Sequence, residues 1–272
     1  MCGAAFGDDG AELGSMGVDA QDYDGDERLD LCVTNYQEQI DNLYRKTEGE
    51  GYEEMARHAG IAAGKYPYVA WGVGLVDLDN DGWRDLFMAN GHLNPFSHQM
   101  DESTTHAQPK RVFRNLGNGR FEDIAAHAGD AITAPRVSRG AAFGDIDNDG
   151  DLDVVVVNAN GLPSLLRNED RSGAAWCLVD LVGAGRNRDA IGARVRVTAR
   201  GRTQTGVRRS SGSYLSANDA RLHFGLGSAT EIERIEVRWP GGQTDYFSNL
   251  PVKSLVQITE AKREARVLPG GK

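Results

Sequence analysis

The chain has 272 residues, with 30 Lys and Arg against 40 Asp and Glu, and its formal net charge is −10. This acidic balance excludes the basic footprint that nucleic-acid binding requires, and an apolar fraction of 40% argues against global disorder. No stretch approaches the roughly 18 consecutive apolar residues that a membrane-spanning helix needs. The first ten residues have neither a basic start nor an apolar segment of signal-peptide length, so we expect no signal peptide in the chain as written.

The charge is divided unevenly along the chain. Residues 1–170 contain 31 Asp and Glu against 13 Lys and Arg, a net charge of −18, whereas residues 171–272 contain 9 against 17, a net charge of +8. An asymmetry of this size predicts two modules with different electrostatic roles, which we place at residues 1–171 and 172–272.

The acidic half contains three loops with the pattern D-x-D-x-D-x-x-x-D, at residues 22–30, 77–85 and 145–153. Carboxylates about 5 Å apart repel one another by about 3 kcal/mol per pair at an effective dielectric constant of about 20, so a cation must offset the repulsion. Carboxylates at positions 1, 3, 5 and 9, with a backbone carbonyl at position 7, offer the hard oxygen ligands that calcium takes. The candidate ligands are Asp22, Asp24, Asp26, Asp30, Asp77, Asp79, Asp81, Asp85, Asp145, Asp147, Asp149 and Asp153.

Position 6 distinguishes the first loop from the other two. Gly82 and Gly150 stand there in the second and third loops, where glycine permits a sharp bend because it adopts positive φ without steric cost. Glu27 stands there in the first loop, so we expect backbone strain or weaker calcium affinity at that site. An EF-hand needs a bidentate glutamate at position 12, whereas position 12 here is Val33, Met88 and Val156. The remaining alternative, an acidic surface turn without metal, is disfavoured because the pattern occurs three times in matching contexts.

Each loop lies in a unit that we predict to form four strands. An apolar strand enters the loop, a second strand leaves it, and two more follow in segments such as Leu-Tyr-Arg and Phe-Glu-Asp. The strands that leave the loops are expected near residues 30–35, 85–90 and 153–158. Repeated four-stranded units build β-propellers, which have four to eight blades. Three units fall short of that number, so we expect either missing upstream blades, in an N-terminally incomplete chain, or self-association.

These loops, with the Asn-x-Leu-Tyr-Arg and Phe-Glu-Asp-Ile-Ala elements, resemble FG-GAP/VCBS repeats, as in integrin α-chain propellers, over about residues 13–170. The resemblance implies that the twelve aspartates above are ligands for up to three calcium ions. It also implies an extracytoplasmic module, secreted, periplasmic or at the cell surface, that recognises a protein or glycan partner through loops on the blade faces.

The basic half predicts a small all-β sandwich or barrel, with alternating strands near residues 176–179, 193–198, 233–239 and 254–259. This half resembles the ASPIC/UnbV domain over about residues 175–260. Two segments carry the resemblance, Asn-Arg-Asp-Ala-Ile-Gly-Ala-Arg-Val from Asn187 and Leu-His-Phe-Gly-Leu-Gly from Leu222. That domain follows such repeats in bacterial proteins similar to the cartilage acidic protein family. Two interpretations of its arginines stay open, a solvated face or a docking surface for the acidic repeats. The arginines are Arg194, Arg196, Arg200, Arg202, Arg208 and Arg209.

The remaining reactive side chains favour no catalytic site. Cys2, Cys32 and Cys177 form no C-x-x-C pair, and a buried, unreactive thiol is expected at the latter two. His223, between Leu222 and Phe224, is interpreted as a hydrogen-bonded strand residue.

The insertion at residues 91–109 holds His92, His98 and His106, which could bind a transition metal or support a carbohydrate-active enzyme built on the propeller. A loop for partner contact is the simpler interpretation. We therefore expect an all-β, non-enzymatic, calcium-binding repeat protein for recognition or adhesion.

Overall fold

The structure is a computed structural model that describes residue 4 and residues 6–7, 10–262 and 264–269. Cys2 lies outside the described residues, whereas Cys32 and Cys177 are both buried free thiols, as predicted. No helix in the described part of the chain has the length and apolar character that crossing a membrane requires.

The acidic half forms three antiparallel sheets that follow one another along the chain. The first contains β1 (Val18–Gln21), β2 (Asp30–Val33), β3 (Asn42–Lys46) and β4 (Tyr52–Glu54). The second contains β5 (Ala70–Val76), β6 (Asp85–Asn90), β7 (Arg111–Asn115) and β8 (Phe121–Asp123). The third contains β9 (Ser138–Gly144), β10 (Asp153–Asn158) and β11 (Ser164–Leu166). The connections include short helices, namely α1 (Ala56–Ala59), α2 (Ser97–Met100), α3 (Asp130–Thr133) and a 3-10 turn at Ala125–His127.

The predicted four-strand unit is therefore wrong for the third blade, which has three strands among the described residues. The first two blades end in the sequences Tyr-Glu-Glu and Phe-Glu-Asp, each of which starts with an aromatic residue. The corresponding stretch after Leu166 is charged and glycine-containing, and it leads directly into the basic module. Residues 167–174 offer no large apolar or aromatic side chain that could anchor a fourth strand to the blade.

The three sheets pack face to face, as the blades of a partial propeller do. One apolar cluster joins the first and second sheets, with Cys32 and Leu43 against Leu86. A second cluster joins the second and third sheets, with Phe87 against Phe143 at a ring-centroid distance of 5.6 Å. The inner strands β1, β5 and β9 lie next to one another, and the sheets formed by the described residues do not close into a ring. The predicted partial β-propeller is confirmed.

The basic half is a sandwich of two four-stranded sheets. In spatial order, one sheet contains β14 (Arg202–Val207), β13 (Arg194–Ala199), β16 (Glu231–Arg238) and β17 (Thr244–Pro251). The other contains β15 (Leu222–Gly227), β12 (Ala175–Val182), β18 (Ser254–Thr259) and β19 (Glu264–Pro269). The strands β12 and β18 pair in parallel, and the other neighbours pair antiparallel. The inward-facing side chains of both sheets, including Val195, Ile235 and Phe224, form one core.

The segment between β14 and β15 runs along the inner strands of the propeller. The Ser213 N–H donates to the Val18 carbonyl on β1 at 3.0 Å, and the Asp219 N–H donates to the Phe143 carbonyl on β9 at 2.8 Å. Between these two points, the ring of Tyr214 packs edge-on against Trp71 of β5 with centroids 4.9 Å apart. The sandwich thus satisfies backbone groups on inner strands that a sheet edge would otherwise leave unpaired.

Candidate metal centres

Each aspartate loop closes on the carboxylate at position 1. The backbone N–H of position 6 donates to that carboxylate at 2.9, 2.8 and 2.9 Å in the three loops, in the pairs Glu27 to Asp22, Gly82 to Asp77 and Gly150 to Asp145. The φ angles of the donors are +67° for Glu27, +94° for Gly82 and +98° for Gly150. The first loop therefore places the Glu27 side chain in the left-handed region at position 6, where backbone strain was expected. The second and third loops place Asn80 and Asn148 in that region at position 4, but asparagine adopts it more readily than glutamate does.

The carboxylate at position 9 ties each loop to the third strand of its own blade. One of its oxygens accepts the N–H of position 2, from Tyr23, Leu78 and Ile146 in turn. The other oxygen accepts a backbone N–H from the third strand or just beyond it, in the pairs Lys46 to Asp30, Asn115 to Asp85 and Asn168 to Asp153. These hydrogen bonds measure 2.7, 2.8 and 2.8 Å. The same link between the loop and the third strand therefore occurs in all three blades.

Three carboxylates in each loop have oxygen atoms that lie within 4.8 Å of one another and could hold a metal ion. The groups are Asp22 with Asp24 and Asp30, Asp77 with Asp79 and Asp85, and Asp145 with Asp147 and Asp149. The other three candidate ligands are Asp26, Asp81 and Asp153, which lie in the same loops but outside these groups. Asp26, Asp81 and Asp149, all at position 5, each accept the N–H of position 7, which keeps their carboxylates turned into the loop.

Burial makes these carboxylates costly to ionise without a cation. It raises the pKa of Asp30 and of Asp85 to about 7, although backbone hydrogen bonds to Lys46 and Asn115 act in the opposite direction. Burial and the neighbouring Asp85 raise the pKa of Asp77 well above its ordinary value. The Oδ1 atom of Asp77 is buried and has no hydrogen-bond partner among the described residues. An all-oxygen donor set with an orphaned carboxylate oxygen fits a hard divalent cation.

Two asparagines that were not predicted from the sequence link successive loops. The Asn115 side-chain amide of the second blade donates to the Tyr23 carbonyl in the first loop at 2.9 Å. The Asn168 amide of the third blade donates to the Leu78 carbonyl in the second loop at 2.7 Å. The signal was present, because both residues follow an arginine at the same place in their repeats. These arginines, Arg114 and Arg167, form ion pairs with Asp79 and Asp147.

The second loop lies directly against the basic module. The Arg202 guanidinium stacks over the Trp83 ring, 3.4 Å from its centroid. The Gly227 N–H of β15 donates to the carbonyl of Asn80 at 2.8 Å. A loop that holds a candidate metal centre is therefore also part of the contact between the two modules.

The arginines of the basic module divide between the two interpretations left open by the sequence. Arg194 is exposed, as expected for a solvated face, although its strand neighbour Val195 is buried in the core. Arg196 forms an ion pair with Glu27 of the first loop at 2.5 Å, and Arg209 forms one with the buried Asp19 at 2.7 Å. Part of the basic surface therefore docks on the acidic repeats.

The insertion does not assemble its histidines into a metal site. His92 is buried, with Nε2 3.0 Å from Gln37 Oε1 and 3.3 Å from the Tyr36 hydroxyl. His98 is exposed on α2. Among the described residues, neither of these histidines nor His106 belongs to a group of potential metal ligands.

The raised pKa values predict how the stability of metal-free protein depends on pH. The carboxyl groups of Asp30 and Asp85 titrate near a pKa of 7 when folded and near 4 when unfolded. Between these values the folded chain binds more protons, so the free energy of unfolding falls as the pH rises through the folded pKa of about 7. It levels off about one pH unit higher. Burial also lowers the pKa of His223 from its ordinary value of 6.5 to about 4. This shift makes the free energy of unfolding rise with pH, but only below pH 6.5. In chelator, we expect the urea midpoint to decrease from pH 6.5 to 7.5.

The same carboxylates bind protons and a cation in competition, so stabilisation by calcium is expected to increase over that pH interval. Asp85→Asn should reduce the pH dependence in chelator, whereas Asp130→Asn, at an exposed site outside the loops, should leave it unchanged. A midpoint that rises with pH in chelator would contradict the assignment.

Comparison with known protein families agrees with this architecture. The family model described as FG-GAP-like repeat matches residues 22–88 and 77–156, which include all three aspartate loops. The family model described as ASPIC and UnbV matches residues 183–265, within the basic sandwich. A search among curated proteins found no match.

Proposed function

Because the chain is an FG-GAP repeat protein with a C-terminal ASPIC/UnbV domain, we propose that it is a non-enzymatic calcium-binding protein for recognition or adhesion in the extracytoplasmic space. One observation carries this proposal. In each of the three loops, backbone N–H groups hold the carboxylates at positions 1 and 9 in the same arrangement, which forms a cage of oxygen atoms. Such a cage prearranges oxygen ligands for a hard cation of flexible coordination, which favours calcium over a smaller ion that demands octahedral geometry.

In this proposal the carboxylates at positions 1, 3, 5 and 9 and the carbonyl at position 7 hold each ion. Calcium offsets the repulsion among the aspartates, so its binding energy adds to the stability of the fold. Since the position 9 carboxylates also anchor the third strands, at Lys46, Asn115 and Asn168, an ordered loop stabilises its whole blade.

The recognition surface in this proposal includes the insertion at residues 91–109. Leu93, Phe96 and Met100 are 55, 61 and 80% exposed there, on and beside α2. A cluster of exposed large apolar side chains on a loop is typical of a contact site for a partner. The buried end of the insertion, which includes His92, supports this surface and contributes no catalytic group.

The test is a calorimetric calcium titration of two single variants and a control. Asp81→Asn and Asp149→Asn each remove one position 5 carboxylate, and each is expected to abolish one calcium site. Asp130→Asn, at an exposed aspartate outside the loops, should leave the stoichiometry unchanged. If all three variants bind as many ions as the parent protein, the ligand assignment is wrong.

A further inference from the structure

A cavity with a volume of about 80 Å³ lies between the propeller and the sandwich. The charged and titratable side chains that line it are Arg84, Arg208, Arg209, Arg221, Asp219 and His223. Four arginines against one aspartate give the lining an excess of positive charge. A water molecule occupies about 30 Å³ in the liquid, so the cavity has room for one compact polar ligand.

Two of these arginines already have carboxylate partners. Arg209 pairs with Asp19 at 2.7 Å, and the Nε atom of Arg221 donates to Asp219 at 2.8 Å. These two pairs neutralise their charges and hold the lining in shape. Among the described residues, Arg84 and Arg208 are the two arginines of the lining without such an ion pair.

Among the described residues, the hydrogen bonds of the Arg84 and Arg208 guanidinium groups go to carbonyl groups. The Nη1 of Arg84 donates to the His223 carbonyl at 3.3 Å, and the Nη1 of Arg208 donates to the Arg209 carbonyl at 2.8 Å. Within the described part of the chain, no carboxylate oxygen lies within 4 Å of either guanidinium. Arg84 is only 7% exposed, and a buried charge is stable only when it is paired. Burial lowers the pKa of Arg84, and the charge of Asp77 in the second metal loop acts against that shift.

His223 supplies a further unsatisfied group. Its Nε2 lies 2.8 Å from the Gly150 carbonyl, which can only accept, so Nε2 carries the proton. Its Nδ1 is buried and has no partner among the described residues. The interpretation of His223 as a fully hydrogen-bonded strand residue is therefore correct for only one ring nitrogen. In the neutral ring Nδ1 can only accept a hydrogen bond. A ligand with an O–H group could donate that hydrogen bond.

We propose that this cavity binds a compact oxyanion that also carries a hydroxyl group. The oxyanion would accept hydrogen bonds from Arg84 of the propeller and Arg208 of the sandwich, in the bidentate manner that guanidinium groups favour. Its hydroxyl would donate to Nδ1 of His223. Because the ligand contacts both modules, its binding strengthens their docking. The site adjoins the second and third aspartate loops, because Arg84 is position 8 of residues 77–85 and His223 contacts the Gly150 carbonyl. It uses none of the twelve aspartate carboxylates assigned to the cations.

Inorganic phosphate is the probe, since near neutral pH it exists partly as hydrogen phosphate, an oxyanion with one O–H group. The full chain is titrated with it by calorimetry at constant ionic strength, below the solubility limit of calcium phosphate. We expect saturable binding of one phosphate. Arg208→Gln should weaken that binding about tenfold or more, because hydrogen bonds to charged groups are among the strongest.

Arg194→Gln is the matched control, because Arg194 is an exposed arginine of the same module that does not line the cavity. It should bind phosphate as the parent protein does. Arg208→Lys keeps the charge but loses the planar fork, and it should give an intermediate affinity. Sulfate, which carries no proton at neutral pH, should bind several-fold more weakly than phosphate.

Three results would overturn the proposal. The first is no saturable phosphate binding by the parent protein. The second is equal weakening by Arg208→Gln and Arg194→Gln, which would indicate a general effect of surface charge. The third is sulfate binding as tight as phosphate binding, which would remove the role of the hydroxyl group and of His223. Circular dichroism of each variant checks that the altered affinity belongs to a folded chain.

Discussion

Addition of 1 mM calcium to metal-free protein is expected to raise the melting temperature by about 10 °C or more. A ligand present at 100 times its Kd stabilises the native state by about 2.7 kcal/mol per site, and calcium loops commonly reach micromolar affinity. For a chain of this length, 1 kcal/mol corresponds to about 2–4 °C, so two occupied loops already account for the shift. Thermal unfolding followed by circular dichroism, with calcium and with chelator, measures it.

Magnesium provides the matched control for this experiment. It carries the same charge but is smaller, holds its water ligands strongly and requires octahedral geometry. At equal concentration and ionic strength it should therefore produce a much smaller shift. The variant Asp81→Asn should lose part of the calcium effect while its melting temperature in chelator rises or stays the same, since it removes one mutually repelling charge. An unchanged melt in chelator and in calcium would contradict the account of the loops.

The variant Gly225→Ala is expected to weaken both the docking of the sandwich and the second metal centre. A Cβ atom on Gly225 would lie 2.0 Å from Oδ2 of Asp77 and 2.6 Å from the Cα of Asn80. Neither the loop nor strand β15 can accommodate such contacts without moving apart. Overpacking of this kind lowers the free energy of unfolding by about 1–3 kcal/mol. Because the added Cβ clashes with Asp77, a candidate calcium ligand, the calcium affinity of the second loop should also fall.

Gly241→Ala serves as the control for this variant. It makes the same substitution in the same module, in the turn between β16 and β17, where an added Cβ meets nothing within 4 Å. Thermal unfolding and calcium titration of the two variants side by side isolate the contact between the modules. If Gly225→Ala melts and binds calcium as Gly241→Ala does, the second loop is not held by the sandwich.

The sequence was sufficient to predict the parts of the site that are local. The carboxylates of each loop fall within nine consecutive residues, and the bend at Gly82 and Gly150 depends on one backbone angle that only glycine adopts easily. The same locality made the strain at Glu27 predictable. Repetition supplied the rest, because three similar segments in similar contexts restrict the architecture to repeated sheets.

The contacts between the modules could not be predicted in this way. Arg84 donates to the carbonyl of His223, 139 residues further along the chain, and nothing near either residue indicates the other. The position 9 aspartates have a second role as braces to the third strands, which emerges only when the strands are paired in register. The strands β14, β17 and β19 were also missed, since their sequences lack a clean alternation of apolar and polar residues.

The number of calcium ions bound per chain tests the central claim most directly. Protein equilibrated with calcium and freed of unbound metal by gel filtration in a buffer of fixed free calcium can be measured by elemental analysis. The account predicts three ions per chain in the parent protein and two in Asp81→Asn, with the ion of the strained first loop lost first as free calcium is lowered. No bound calcium at 1 mM free ion, or a count that Asp81→Asn leaves unaltered, would contradict it.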